Sequence, residues 1–209
     1  MRGGAHAVIG ACATVPLAIL FGGSVMLPIC AAGGAIGALL PDIDHPRSAL
    51  GRFVPWPVAT VLAHRTDFVA HGRRWFRGHT IWHRGETHSV GAAGIAFVLA
   101  LGVSRWLLRA VFSWLRHHGA PAAAEPPMFA WGLATVVACS VLAGYLSHLV
   151  ADLANPSPQM LWWPFCRRMV HPRWLPAVSE ASVQGRWAER GAVLAAIIGA
   201  LTLWGGRPV

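Results

Sequence analysis

Long uncharged apolar stretches separate short polar segments, and they predict the elements of the chain. Gly3 to Pro41, Ser89 to Ser104, Pro126 to Ala151 and Gly191 to Gly206 contain no Asp, Glu, Lys or Arg. The run from Met128 to Ala151 is 24 residues long. A helix of that length, rising ~1.5 Å per residue, crosses a ~30 Å hydrocarbon layer. Val90 to Leu108 predicts a second crossing, with Arg105 near its end able to snorkel to the interface. Gly191 to Trp204 predicts a third, shorter one that extends back to Trp187 as an anchor. The first run is too long for one crossing and short for two. Pro16, Gly22, Gly23, Pro28, Gly33 and Gly34 interrupt it, so it predicts a tight pair of short or broken helices near residues 7–27 and 29–40. A retained membrane segment fits this run better than a cleaved signal peptide, because the basic flank is thin and the apolar run continues past residue 30.

Composition supports the same class. Hydrophobic residues make up 55% and charged residues 12% of the 209-residue chain, and the mean hydropathy is +0.50. The charge is about half the ~25% of an ordinary soluble domain, too little to cover the surface of a free-standing one. The expected fold is therefore all-α: a polytopic helical membrane protein with about four to five membrane-embedded helices and an Arg-rich cytoplasmic loop, forming a single domain over residues 1–209. Cys12, Cys30, Cys139 and Cys166 show no Cys-x-x-Cys spacing and read as structural buried thiols.

The basic residues are 17 arginines with no lysine. If residues 7–40 form a hairpin, the crossings place Arg2, seven arginines between residues 47 and 84 and five between 167 and 190 on one face. Arg105, Arg109, Arg116 and Arg207 fall on the other. This bias makes the first face cytoplasmic and the chain a multi-pass protein of a bacterial inner membrane. Trp106, Trp114 and Trp131 would mark the outer interface, and Trp82, Trp162, Trp163 and Trp187 the inner one. Nucleic acid is not an expected partner, since interfacial anchoring already accounts for the tryptophans. The oligomeric state is not legible.

Carboxylates and histidines at the edge of apolar segments are costly, and they mark candidate function. Asp42 and Asp44 lie in Pro41-Asp42-Ile43-Asp44-His45-Pro46, where two prolines end a helix. An extended turn would send the two carboxylates to opposite sides; a helix cap or Asx turn is the plainer alternative. His83 and His88 flank Gly85 at the mouth of the second crossing. In one continuous helix they would diverge by about 140°, but a turn at Gly85 ahead of a helix starting near Thr87 would let them converge, with His79 in reserve. His148 and Asp152 are four apart on one helix face, a chelating spacing that a simple hydrogen bond would also explain. His6 opens the first apolar run. The charge-based topology puts His6, Asp42, Asp44, His83, His88, His148 and Asp152 on one face at one depth. Imidazole and carboxylate ligands favour zinc, with manganese or iron as alternatives, over calcium. Seven candidates exceed one tetrahedral ion, so either two ions bind or some of these residues orient the others.

The strings GALLPDIDHPRS, HRGETHS and GYLSHLVADLANPSPQMLWWPF resemble a family of small bacterial inner-membrane proteins described as predicted metal-dependent hydrolases, which includes a LexA-regulated member. His6 matches the family's N-terminal histidine, Asp42 and Asp44 its Leu-Pro-Asp-Ile-Asp-His-Pro, His83 and His88 its His-Arg-Gly-x-Thr-His-Ser, and His148 and Asp152 its Ser-His-x-x-x-Asp. Trp163, Pro164 and Phe165 match the closing Trp-Pro-Phe. The motifs cover residues 1 to about 170. Glu86, where an apolar residue is usual, and an Arg-rich insert at 52–78 depart from the pattern. The family has a looser likeness to zinc-dependent phospholipase C proteins. The resemblance implies a membrane-bound hydrolase with a His/Asp metal site.

The residues and the resemblance lead to one expectation: metal-assisted hydrolysis of a lipid or lipid-linked ester or phosphoester at the cytoplasmic membrane surface. Glu86 is the candidate general acid or base. Arg84, with Arg73, Arg74 and Arg77, is the candidate binder of an anionic headgroup or phosphate. The chain has no Gly-x-Ser-x-Gly, P-loop or His-Glu-x-x-His signature. The competing class is a non-catalytic metal-binding membrane protein or a transporter, although the apolar middles of the crossings argue against a conducting path.

Overall fold

The computed structural model describes residues 3–44, 48–53, 85–118, 127–155, 158–166, 168–171 and 182–206, with the side chain of Asp44 and those of residues 127–130 and 183 outside that description. The first apolar run becomes α1 (Gly3–Ala13), α2 (Val15–Phe21) and α3 (Leu27–Leu39). Pro16 and Pro28 sit in the first turns of α2 and α3, where a missing N–H costs nothing. Gly22 and Gly23 both take positive φ and turn the chain between them. The boundaries therefore differ from the expected 7–27 and 29–40: the glycine pair ends the first rod at Phe21, and α1 begins at Gly3.

The second crossing is α4 (Val90–His117). It runs nine residues past the expected Leu108, because arginine is a good helix former and a helix need not stop where it leaves the hydrocarbon. The guanidinium carbon of Arg105 lies 3.4 Å from the ring centroid of Trp131, a cation–π contact between α4 and the next helix. That helix is α5 (Pro127–Asp152), and α6 (Val183–Gly205) closes the chain, beginning upstream of Trp187. Among the described residues, four apolar spans are long enough to cross a membrane: Gly3–Phe21, Val90–His117, Trp131–Asp152 and Gln184–Gly205, with Leu27–Leu39 as a shorter apolar helix. The protein is all-helical over its described residues, as a polytopic helical membrane protein should be. The sole β feature described is an antiparallel bridge between Gln159 and Val170.

The centre of the bundle is α1, α3 and α5, with α4 packed on α5 and α6 on α1. Their backbones meet at glycine. A Cβ on Gly34 would overlap the Gly10 carbonyl, and one on Gly144 would overlap the Gly34 carbonyl. Small residues let helices approach this closely where no solvent drives them together. One apolar cluster, Ala18, Cys30 and Val136, lies beneath Trp204. Another, Ala93, Tyr145 and Leu149, lies between α4 and α5. The four thiols are free. Cys30 is buried and Cys12 and Cys139 are half-buried, but Cys166 is exposed, so the expectation of a buried thiol fails there. Cys166 lies outside the helices, in the segment between α5 and α6.

Candidate metal centre

Four residues from each of Gly10, Gly34 and Gly144 stands a residue of one site. They are His6 on the turn before Gly10, Ala38 on the turn after Gly34 and His148 on the turn after Gly144. The crossing that brings the three glycines together therefore brings these together too. The His6 and His148 rings stack with centroids 3.8 Å apart. The start of α1, the end of α3, the start of α4 and the end of α5 all lie at this end of the bundle.

His148 is fully buried, and its Nδ1 donates to the Ala38 carbonyl oxygen at 2.7 Å. The proton on Nδ1 leaves a lone pair on Nε2. That atom lies 3.3 Å from His88 Nε2. Asp42 Oδ1 lies 3.4 Å from His88 Nε2 and 3.5 Å from His148 Nε2. Asp152 Oδ2 lies 3.6 Å from each of the same two nitrogens. The other Asp152 oxygen, Oδ1, accepts from Asn155 Nδ2 at 2.8 Å and lies 3.5 Å from His6 Nε2. Among the described residues, two groups could hold a cation: Asp42, His88 and His148, and His6, His148 and Asp152.

The fit to a cation can be tested on these distances. Three ligands bonded at ~2.0–2.2 Å to a tetrahedral ion stand about 3.3–3.6 Å apart. The Asp42, His88 and His148 atoms are 3.3, 3.4 and 3.5 Å apart, so one ion fits them without rearrangement. Electrostatics agrees. Ionised carboxylates are expensive to bury, and Asp152 is almost fully buried. A divalent cation between two carboxylates and neutral imidazoles leaves the cluster neutral. His6 Nδ1 is buried without a hydrogen-bond partner, a further polar atom at this end of the bundle.

Local structure holds the candidate ligands in place. Ser89 caps α4, its Oγ accepting from Ala92 N at 3.1 Å and donating to the Glu86 carbonyl at 2.5 Å. This fixes the turn Gly85–Ser89 that carries His88, and α4 begins at Val90, slightly later than the expected start near Thr87. Thr87 Oγ1 lies 3.2 Å from His88 Nδ1. Tyr145 on α5 donates its hydroxyl to the Thr87 carbonyl and ties this turn to the helix bearing His148. The first two N–H groups of α4 are also satisfied: Val90 N donates to Leu161 O at 2.9 Å and Gly91 N to Trp163 O at 3.0 Å. Asp42 sits in a 3-10 turn, Pro41–Asp44, and not in the extended turn expected. Pro41 still follows the end of α3, but the chain keeps helical twist.

The structure thus brings together His6, Asp42, His88, His148 and Asp152. His83, Arg84, the reserve His79 and the arginines at 73, 74 and 77 lie outside the described residues, as does the Asp44 side chain. Glu86 is half-buried on the turn of His88 and is in neither candidate group. Asn155, Tyr145 and Thr87 were not singled out from the sequence. Asn155, three residues past Asp152 and just before Pro156, carries a turn-forming signal that could have found it.

Residues 1–207 match the family described as YdjM inner membrane protein. The chain belongs to the YdjM inner membrane protein family. Its relatives include the inner membrane protein YdjM of Escherichia coli (strain K12) and that of Shigella flexneri, each 33% identical over 132 residues, which is 62% of this chain and 45% of the relative. The chain thus spans less than half the length of these curated relatives. No solved structure matches. Membership makes this a member of an inner-membrane family with several apolar spans, and the buried His/Asp cluster is one that could hold a metal ion.

Proposed function

We propose that the protein is a membrane-bound metal-dependent hydrolase that takes one divalent cation, zinc before manganese or iron, and acts on a lipid or lipid-linked phosphoester at the cytoplasmic membrane surface. One observation carries this reading: the spacing of Asp42 Oδ1, His88 Nε2 and His148 Nε2 is that of three ligands around one ion. One ion is preferred to two because His148 Nδ1 is committed to Ala38, so both candidate groups draw on the same Nε2 lone pair. Such an ion would lower the pKa of a coordinated water toward ~7 and polarise a phosphoryl oxygen.

The chain's own residues supply the rest. Asp42 is 13% exposed while His88, His148 and Asp152 are buried, so substrate approaches on the Asp42 side. Glu86, on the same turn as His88, is the carboxyl group offered for proton transfer. Arg84, His83 and Asp44 keep their proposed roles as phosphate binder and additional ligands or orienters.

The lipid reading rests on depth. Trp162 and Phe165 are 52% and 92% exposed on the loop hydrogen-bonded to the first turn of α4, directly after His88. Tryptophan favours headgroup level, which supports a cluster close to headgroup esters. The arginine bias supports the cytoplasmic side. The test is release of phosphate or headgroup from a lipid panel by purified protein, with and without metal. Metal-dependent release supports the hydrolase. Metal flux into proteoliposomes with no release from any lipid would replace it with a transporter.

A further inference from the structure

The two oxygens of Asp152 face different company. Oδ2 stands 3.6 Å from both His88 Nε2 and His148 Nε2, where a cation would sit. Oδ1 accepts from Asn155 Nδ2 at 2.8 Å and faces His6 Nε2 at 3.5 Å. Asn155 and His6 are both buried. Asn155 is held in its own right, its backbone N–H donating to the Asp152 carbonyl at 3.1 Å, so its amide meets the carboxylate from a fixed position just past the end of α5. His6 is fixed from the other side by its stack on His148.

We propose that Asn155 and His6 are positioning residues: their N–H groups hold Oδ1 of Asp152 so that Oδ2 alone is presented to the cation. An unclamped carboxylate at a helix end can rotate about its side-chain bonds and exchange its oxygens. Two donors on Oδ1 remove that freedom before the ion arrives. His6 then acts through Asp152 and is not itself a ligand. A histidine and an amide are both suited to this, because each offers an N–H while carrying no fixed charge into a buried site. The inference rests on the metal-site reading above.

The 209-residue chain in detergent, stripped with a chelator and titrated with zinc against a chromophoric competitor, tests it. Loss of a hydrogen-bonded partner behind a ligand typically weakens metal binding by ~10–100-fold. Asn155→Ala should show that loss, and so should Asn155→Asp, which keeps the shape but replaces the donor with an acceptor. His6→Ala should weaken binding, whereas His6→Gln, which restores an N–H but not an imidazole, should recover most of it. The melting temperature of each metal-free variant should stay close to that of the metal-free wild type. Wild-type affinity in both Asn155 variants overturns the proposal, as does a lowered metal-free melting temperature with unchanged affinity. A His6→Gln variant as weak as His6→Ala makes His6 a ligand and overturns its part. Wild-type protein that takes up no zinc removes the metal-site reading itself, an outcome distinct from the others.

Discussion

His88 and His148 point their Nε2 atoms at each other across 3.3 Å in a buried site. With His148 Nδ1 bonded to the Ala38 carbonyl, the His148 nitrogen offers a lone pair, and Asp42 and Asp152 add oxygens to the same space. Such a convergence of electron pairs is unfavourable unless a proton or a cation lies between them. Purified protein should therefore carry about one equivalent of a transition metal. The double variant Asp42→Ala, His148→Ala should carry none, measured by elemental analysis against protein concentration. Unchanged metal content in that variant would end the reading.

Tyr145 supports the same site from a distance. Its hydroxyl donates to the Thr87 carbonyl, one residue before His88, and its ring lies in the apolar cluster with Ala93 and Leu149. Tyr145→Phe keeps the ring and leaves the Thr87 carbonyl without this donor. The expected loss is about 1–3 kcal/mol, seen as a lower melting temperature. Because the freed turn carries His88, a proposed ligand, zinc affinity should also fall. A variant that melts lower but binds zinc as tightly as wild type would show that this bond stabilises the fold without ordering His88.

Much of the site was legible from cost alone. His6, Asp42, His148 and Asp152 stand at the edges of uncharged runs, where only function or pairing justifies them, and the arginine pattern put them at one end of the bundle. The structure brings these four and His88 together. Helix ends were less legible. Phe21 ends a helix because Gly22 and Gly23 adopt positive φ, and a glycine pair in an apolar run does not say which of its neighbours stops. Flanking prolines favour an extended turn at Asp42, yet a 3-10 turn accommodates Pro41 at its first position. Asn155 and Ala38 were missed for another reason. Asn155 touches the site through its hydrogen bond to the Asp152 carboxylate, and its position before Pro156 signals a turn but not that bond; Ala38 contributes a backbone carbonyl, which has no residue-type signature.

The close approach of α1, α3 and α5 carries its own test. A methyl on Gly34 would overlap the Gly10 carbonyl and press on Thr14 Cγ2. Gly34→Ala should therefore destabilise by ~1–3 kcal/mol, the usual cost of overpacking. His6, Ala38 and His148 each lie one turn away, so metal content should drop as the helices part. Gly94→Ala on α4, where an added Cβ meets nothing within 4 Å, is the control. It should leave metal content unchanged and stabilise the helix by roughly 0.5–1 kcal/mol. Equal behaviour of the two variants in thermal melts would show that the glycine crossing does not govern the site.

The bundle's directionality fixes the last expectation. α1 and α4 begin at the site, and α3 and α5 end there, so each passage reverses the previous one. Residue 118, just past α4, and residue 171, beyond α5, should then lie on opposite sides of the membrane. Insertions of a reporter active only outside the cytoplasm should be active at His118 and inactive at His171, and a cytoplasmic fluorescent reporter should give the reverse. That polarity follows from the proposed orientation, in which the five arginines between 167 and 190 face the cytoplasm. The same side at both positions would mean that the long helices do not all cross. Opposite sides with the reverse polarity would keep the crossings but put the metal site, and any lipid it acts on, in the outer leaflet.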